Sequence, residues 1–144
     1  MNNIYISLKT SYDVFKLFYN LIKMLQKKKI ILIIDSDLVN LKLCKNIFEE
    51  HHCSVLVAQN TDSGLNLYRQ QQQYIDLVLL NFQISGRSYF ITIPSFLAIN
   101  KDVKIIGMSD SISFKNLPIY FKEKVLDVIN KPILTEHLLK FLVT

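Results

Sequence analysis

Glycine is scarce in this sequence, and its scarcity argues against the phosphate-binding loops of many nucleotide-binding proteins. The three glycines are Gly64, Gly86 and Gly107, and they are too far apart to form a GxGxxG or P-loop motif. Tryptophan is absent, and the only cysteines, Cys44 and Cys53, have neither CxxC nor metal-ligand spacing. We therefore interpret both as reduced thiols, with Cys44 packed in a helix.

Long apolar runs and a secretion signal are also lacking. No stretch approaches the roughly 18 consecutive apolar residues of a membrane-spanning helix. The N-terminus has no basic segment followed by an uninterrupted apolar run. Half of the 144 residues are nevertheless hydrophobic and a fifth are charged, which suits one folded domain with a substantial core. We expect a cytoplasmic protein without a membrane span.

The net positive charge is confined to one end of the chain. Residues 1–29 contain six lysines and one aspartate, and this excess equals the formal net charge of +5 for the whole sequence. Residues 30–144 are therefore neutral overall. The sequence pI near 9.2 does not indicate a nucleic-acid-binding face on the domain, and we predict no nucleic-acid partner.

The basic N-terminal segment has the pattern of an amphipathic helix over residues 12–26, with Thr10 or Ser11 as its N-cap. Five apolar residues share one helical face: Val14, Phe15, Phe18, Ile22 and Leu25. One interpretation is a handle for a membrane surface or for a partner helix. The other is a helix that packs on its own domain or continues from an upstream one. We favour the second, because the lysines cluster at one end of the segment.

From residue 30 onward, short apolar runs alternate with segments of helical period. The pattern predicts strands at 30–34, 54–58, 76–80, 103–108 and 125–129. It predicts helices at 38–51, 61–73, 112–123 and 135–142, and a less clear one at 88–100. Thr61 and Thr135 are the predicted N-caps of their helices, whereas Pro94 and Pro118 should disturb theirs.

Strands that alternate with helices predict a five-stranded parallel sheet, doubly wound, in an α/β fold with an extra N-terminal helix. We assign residues 1–28 to the N-terminal helix or linker and residues 29–144 to the domain. The carboxyl ends of parallel strands meet at one edge of the sheet, where ligands usually bind. Polar residues follow the strands there: Asp35, Ser36, Asp37, Asn81, Ser109 and Lys131.

Four segments resemble the receiver domain of two-component response regulators over about residues 29–143. They are "IILIIDSDLVN", "DLVLLNFQISG", "IIGMSD" and "INKPI". The resemblance implies the flavodoxin-like fold of that family. It also implies that Asp35 and Ser36 occupy the acidic pair, Asn81 the phosphoacceptor position, Ser109 the hydroxyl position and Lys131 the lysine position.

The family chemistry requires an aspartate that attacks a phosphoryl donor while an acidic pair helps to hold Mg²⁺. Asn81 carries a neutral amide, whose oxygen is a poor nucleophile. Ser36 removes a second carboxylate, so Mg²⁺ binding is disfavoured, with Asp35 and Asp37 as weak candidate ligands. Val128 stands where the family usually has the Tyr or Phe of its switch. We expect no catalytic residue, no cofactor and no enzymatic activity.

The resulting hypothesis is a degenerate receiver that acts as a phosphorylation-independent interaction module. Its expected partners are a signalling protein such as a histidine kinase, another receiver, or a second copy of the chain. Asp35 would become the counter-ion of Lys131, and the family's usual partner face would include Phe121, Val125 and Phe141, as core or exposed residues.

Three alternatives stay open. The chain could still accept a phosphoryl group through Asp35, Asp37 or a deamidated Asn81. It could be a receiver fragment of a hybrid histidine kinase. It could also be a different flavodoxin-like protein that binds a flavin or a nucleotide, although the Lys-Pro dipeptide and the missing phosphate loop speak against this.

Overall fold

The computed structural model describes residues 10–84 and 88–143, with the backbone only at residues 23 and 24. Helices and strands alternate along this part of the chain, as the apolar pattern predicts. The strands are β1 (Ile30–Ile34), β2 (Ser54–Ala58), β3 (Leu77–Asn81), β4 (Ile105–Ser109) and β5 (Asp127–Asn130). The helices are α1 (Ser11–Leu25), α2 (Leu38–Glu50), α3 (Thr61–Gln71), α4 (Tyr89–Ile99), α5 (Ile119–Lys124) and α6 (Thr135–Leu139), with 3₁₀ turns at Phe114–Asn116 and Lys140–Leu142.

The five strands form one parallel sheet in the order β2-β1-β3-β4-β5. In the centre of the sheet, Leu32 of β1 is paired with Val78 of β3, and Leu79 of β3 with Ile106 of β4. The strand order reverses between β1 and β3, which is the flavodoxin-like arrangement. The predicted fold class is therefore confirmed.

Side chains of the central strands alternate between two cores, because successive residues of a strand point to opposite faces. Leu32 and Ile34 of β1 join a core formed with α3, α4 and α5. Ile31 and Ile33 join a second core, formed with α2 and α6. All of β3 and β4 is buried. A strand covered on both faces needs a continuous apolar run rather than polar alternation, which explains the composition of these segments.

Helix α2 contributes four buried residues to the second core: Leu41, Cys44, Ile47 and Phe48. Their spacing is the helical period that predicted this element. Asp37 is the N-cap of α2, and its Oδ1 accepts hydrogen bonds from the backbone N–H groups of Val39 and Asn40. The helix therefore starts immediately beyond the carboxyl end of β1.

Two predicted N-caps are wrong. Helix α3 is capped by Asn60, whose side chain accepts from the N–H of Ser63, whereas Thr61 is buried and its hydroxyl has no partner among the described residues. Helix α6 begins at Thr135, and its N-cap position is occupied by Leu134, which makes no capping hydrogen bond through its side chain. In α3 the residue just before the expected cap carries an equally suitable side chain.

Proline has different effects in the two helices that it was expected to disturb. Pro94 lies within α4, which runs without a break from Tyr89 to Ile99. Proline removes one N–H donor, and here the carbonyl that loses its helical partner belongs to Phe90, which is exposed to solvent. Pro118 divides the predicted helix at 112–123 into a 3₁₀ turn and α5, for which it is the N-cap residue.

Helix α1 forms as predicted but does not become part of either core. Thr10 is its N-cap and accepts from the N–H of Asp13. None of the side chains described in α1 is buried, and Phe15, Phe18, Ile22 and Leu25 are all exposed. The exposed side chains do not agree with packing of this helix on its own domain, which was one branch of the favoured interpretation. The other branch, continuation from an upstream helix, stays a prediction. Within the described residues, no helix has the combination of length and apolar character that crossing a bilayer requires.

Candidate functional site

The polar residues singled out in the sequence lie along the carboxyl edge of the sheet. Asp35 follows β1, Asn81 is the last residue of β3, Ser109 is the last residue of β4, and Lys131 follows β5. These strands are consecutive neighbours in the sheet. The topology therefore brings the four residues to one edge, and their hydrogen bonds show which of them interact.

Asp35 is the centre of this site and is completely buried. Its Oδ1 accepts from the N–H of Asp37 at 2.9 Å and from Asn81 Nδ2 at 2.7 Å. Its Oδ2 accepts from Asn40 Nδ2 at 2.6 Å. Both carboxylate oxygens are therefore bound by N–H donors of the protein, as a buried carboxylate requires.

The orientation of the Asn81 amide is fixed by two partners at once. Its nitrogen donates to Asp35, while its Oδ1 accepts from the backbone N–H of Gln83 at 3.0 Å. The opposite orientation would set the amide oxygen against the carboxylate and the amide nitrogen against another donor. Asn81 therefore acts as a donor towards Asp35 and presents no free acceptor on that side.

Three strand ends close their following loops in the same way. Asp35, Asn81 and Ser109 each accept, through a side-chain oxygen, the backbone N–H of the residue two positions later. Asn and Asp form such Asx turns readily, and Ser forms the equivalent turn. The oxygen atoms at this edge therefore stabilise the loops that follow the strands.

Ser109 is directed into its own loop. Its Oγ accepts from the N–H groups of Ser111 at 3.1 Å and Ile112 at 3.0 Å, and it lies 3.5 Å from Ser111 Oγ. Asn130 Nδ2 donates to the carbonyl oxygens of Ser109 and Ile112. The hydroxyl of Ser109 is therefore buried, and its oxygen is bound by N–H groups of the loop between β4 and the first 3₁₀ turn.

Lys131 does not form the predicted ion pair with Asp35. Both residues are described, and no ion pair joins them, whereas Lys45 pairs with Glu49 and Lys140 with Asp127. Its backbone N–H donates to the carbonyl of Ser109 at 2.9 Å. The amide donors around Asp35 take the position that the lysine was expected to fill.

Ser36, Asp37 and Val128 lie outside the Asp35 network of side chains. Ser36 is exposed, next to the buried carboxylate in sequence but not bonded to it in the structure. The side chain of Asp37 serves as the N-cap of α2. Val128 is buried in the core formed with α3, α4 and α5, so the expected switch position carries a small apolar side chain inside the domain.

The charges at this edge act on the thiol of Cys44, one helical turn beyond Asn40. Burial is the main cause that raises the pKa of Cys44 to about 12; the negative charge of Asp35 raises it further, whereas Lys131 lowers it. Cys44 is therefore a neutral thiol at physiological pH. A thiol in this state is a poor nucleophile and a poor metal ligand.

The donor set of this edge does not fit Mg²⁺. The ion prefers several oxygen ligands, including carboxylates, in a near-octahedral shell. Here one carboxylate is buried, and N–H donors bind both of its oxygens, while the amide oxygen of Asn81 is bound by Gln83. Binding would require the displacement of these donors, and in the described part of the chain no cluster of three acidic, histidine or cysteine residues lies ready to hold a metal.

Sequence reasoning missed the part that Gln83 plays. Besides the hydrogen bond from its N–H to Asn81, its Oε1 accepts from the N–H of Asp110 at 3.1 Å and its Nε2 donates to Ser111 Oγ at 3.3 Å. Gln83 thus joins the loops that follow β3 and β4. A polar residue two positions after a strand-ending Asn is the signal that would have identified it.

The apolar residues expected on the partner face divide into core and surface. Phe121 and Val125 are buried in the core, and Phe141 is half-buried. The exposed residues are instead Phe90, Ile119 and Tyr120, which we call the α4–α5 patch. The rings of Phe90 and Tyr120 both contact Phe121 edge to face, with centroids 5.0 and 5.1 Å apart. The patch is therefore supported from below by a buried ring.

Comparison with protein-family models gives a match over most of the chain. Residues 31–143 match the model of the response regulator receiver domain. The matched segment begins at the second residue of β1 and ends beyond α6, so it includes β2 to β5 completely and nearly all of β1. No curated protein sequence matches the chain significantly.

Solved structures with the same fold share little sequence with this chain. A response regulator receiver domain protein from Clostridium thermocellum is 22% identical, with a TM-score of 0.70 over 76% of this chain and 87% of that chain. CheY in a CheX-CheY-BeF₃-Mg²⁺ complex from Borrelia burgdorferi is 16% identical, with a TM-score of 0.73 over 80% and 87%. A CheY-like receiver domain protein from Methanospirillum hungatei is 21% identical, with a TM-score of 0.69 over 81% and 92%.

Proposed function

Because the chain belongs to the response regulator receiver domain family, we propose that it is a degenerate receiver of a two-component or phosphorelay system. In this proposal it binds a signalling protein, such as a histidine kinase or another receiver, without being phosphorylated. It acts as an interaction module and not as an enzyme. The state of the Asp35 site is the observation that supports this function.

A receiver that takes up a phosphoryl group needs an anionic nucleophile with free access to the donor. At the end of β3 stands Asn81, whose amide nitrogen is bonded to Asp35 and whose oxygen is bonded to Gln83. Asp35 is buried, with both carboxylate oxygens bonded to N–H donors. Asp37 is exposed, but its carboxylate caps α2. Both carboxylates are thus already engaged, which argues against either as a replacement acceptor.

The α4–α5 patch supports the interaction part of the proposal. Ile119 is 74% exposed, and the exposed rings of Phe90 and Tyr120 both contact Phe121, which lies two residues after Ile119 in α5. Aromatic side chains on a rigid support are common anchors of protein interfaces. In the Borrelia burgdorferi complex a CheY with this fold is bound to CheX, which illustrates a receiver fold that engages a protein partner.

The phosphorylation-independent part can be tested by NMR. Amide spectra of the full chain are followed while Mg²⁺ and then beryllofluoride, a phosphoryl mimic, are added. We expect the amides around Asp35, Asn81, Ser109 and Lys131 to keep their shifts. A double variant with Ser36→Asp and Asn81→Asp restores two carboxylates and serves as the responsive control. Saturable shifts of the wild-type amides would show that an ion-binding site survives.

The interaction part needs a different comparison. Partner proteins are captured from cell extract with and without acetyl phosphate, using the wild type, Ile119→Asp in the α4–α5 patch, and Val39→Asp as an exposed control on α2. We expect the same partner in both conditions with the wild type and the control, and its loss with Ile119→Asp. Capture that depends on acetyl phosphate would contradict the proposal.

A further inference from the structure

Helix α1 exposes an apolar surface that the domain does not cover. It is 15 residues long, and eight of its large apolar or aromatic side chains are exposed: Tyr12, Phe15, Leu17, Phe18, Tyr19, Leu21, Ile22 and Leu25. Leu25, at the end of the helix, is 85% exposed. Contiguous exposed apolar surface of this kind marks an interaction site, so the question is which partner fits it.

The polar side of α1 is narrow. Asp13, Lys16 and Asn20 are spaced by three and four residues, which places them in one strip along the helix. The exposed apolar residues occupy the remaining width. A seam between two helices of a coiled coil uses a narrower stripe of alternating three- and four-residue spacing. Helices that lie in the interface of a bilayer combine a face of Phe and Leu side chains with a polar face that carries lysine, as Phe15, Phe18 and Lys16 do here.

The net charge of α1 and the residues after it indicates which kind of partner fits its apolar face. Residues 10–28 contain four lysines and one aspartate, for a net charge of +3. A second copy of α1 would bring an equal positive charge to the contact, which disfavours association. Anionic lipid headgroups attract such a segment, and aromatic and lysine side chains are common at the membrane surface. Charge complementarity thus favours a lipid surface over self-association.

Helix α1 joins the domain at the edge of the sheet opposite to the Asp35 site. Lys27 lies over the ring of Tyr74, with its Nζ 5.8 Å from the ring centroid, and Lys29 Nζ donates to the carbonyl of Leu142 at 2.9 Å. Lys29 directly precedes β1, so this junction is at the amino edge of the sheet. Asp35 lies at the opposite, carboxyl edge. Occupation of α1 would not cover that site.

We propose that α1 is a membrane-surface anchor that binds bilayers containing anionic phospholipid and holds the receiver-like domain against them. The proposal does not depend on the function suggested for the Asp35 site. The test is co-sedimentation of the full chain with vesicles of phosphatidylcholine alone and with vesicles that contain about one third phosphatidylserine. We expect binding to the anionic vesicles to be about tenfold tighter or more, and to weaken as salt is added.

Matched variants separate α1 from the rest of the surface. Ile22 and Ile91 are 56% and 60% exposed, on α1 and α4 respectively. Ile22→Glu should weaken binding to the anionic vesicles about tenfold or more, whereas Ile91→Glu should bind like the wild type. Lys16→Glu should weaken this binding several-fold, whereas Lys42→Glu, at an exposed position of α2, should not. Because all four side chains are exposed, circular dichroism should show unchanged folding.

Several outcomes would overturn the proposal. The chain would fail the test if it did not sediment with anionic vesicles, if it bound neutral vesicles equally well, or if Ile22→Glu bound like the wild type. Light scattering after size exclusion examines the competing partner. A wild-type dimer that ignores vesicles and becomes a monomer in Ile22→Glu would identify α1 as a self-association helix instead.

Discussion

Replacement of Asn81 by aspartate tests whether the surrounding N–H donors stabilise a charged Asp35. In the wild type, Asn81 Nδ2 donates to Asp35 Oδ1 over 2.7 Å, so Asn81→Asp would place a second carboxylate beside the first. A hydrogen bond to a charged group contributes about 1.5–3 kcal/mol. Two charges 4 Å apart repel by about 4 kcal/mol at an effective dielectric constant near 20. Because one carboxyl can take up a proton, we expect a loss of about 3–5 kcal/mol.

Urea unfolding followed by circular dichroism measures this loss. With a denaturant dependence of about 1–3 kcal/mol per molar, the midpoint should fall by about 2 M at neutral pH. Asn66→Asp is the matched control, since it makes the same chemical change at an exposed position of α3. There Asn66 Oδ1 accepts from Arg69 Nη1 at 2.9 Å. A carboxylate there faces an arginine, so this control should be neutral or slightly more stable.

The pH dependence of Asn81→Asp has a defined sign. Repulsion raises the pKa of one carboxyl of the folded pair above its unfolded value of about 3.9. The folded state then binds more protons than the unfolded state, so the free energy of unfolding falls as pH rises from about 4 through the raised pKa. The deficit relative to the wild type should therefore shrink on acidification. Mg²⁺ should reduce it too, because a cation screens the paired carboxylates.

Unfolding of Asn81→Asp at the wild-type midpoint, at neutral pH and without Mg²⁺, would contradict this prediction. That result would mean that the new carboxylate turns away from Asp35 without cost. If Mg²⁺ stabilised the wild type as much as the variant, the claim that the wild-type donor set does not fit Mg²⁺ would be wrong. The ion would then bind in spite of the N–H groups that surround Asp35.

Three further predictions concern the parts of the fold that position the site. Asp37→Ala removes the N-cap of α2 and should lower the free energy of unfolding by about 1 kcal/mol in urea titrations, and an unchanged midpoint would contradict the capping role. Gly107→Ala would place a Cβ 2.6 Å from Cε2 of Phe82. The overpacking should cost about 1–3 kcal/mol unless the ring moves aside, which wild-type stability would reveal. Burial raises the pKa of Cys44 to about 12 and also raises that of Cys53. Both thiols should therefore resist Ellman's reagent at pH 8 until the chain unfolds, and stability should fall as pH rises from about 9 towards 12; rapid reaction of the native protein would contradict this.

The strands could be predicted closely from the sequence because their composition is restricted. A central parallel strand must be apolar on both faces, and "IILII" coincides with the central strand β1. "SVLVA" coincides with β2, which lies at the edge of the sheet and is marked by its β-branched valines. The buried positions of α2 follow from its helical period in the same way. Agreement is poorer where the decision is local. Asn60 and Thr61 are adjacent residues that both suit an N-cap, and only packing determines which of them ends the preceding loop.

Proline shows the same limit within helices. Pro118 ends one segment and begins α5, whereas Pro94 is retained inside α4. Both residues lack the N–H donor, so the sequence gives them the same tendency. The two positions differ in their place in the structure: Pro118 is the N-cap residue of α5, where no helical hydrogen bond is lost, whereas Pro94 lies one turn after the exposed Phe90 in a continuous helix. That placement is decided by the tertiary structure.

The location of the site followed from topology, but its bonding did not. Parallel strands bring Asp35, Asn81 and Ser109 to one edge whatever their side chains do. Charge alone suggested an ion pair between Asp35 and Lys131. Short side chains at strand ends, however, reach nearby N–H groups with little loss of conformational entropy, whereas a lysine must order a long chain. The side-chain oxygens of Asp35, Asn81 and Ser109 are therefore bound by nearby N–H groups and not by the lysine. For ion binding at this edge, the N–H groups that already bind Asp35 therefore matter as much as the absence of carboxylates at Ser36 and Asn81.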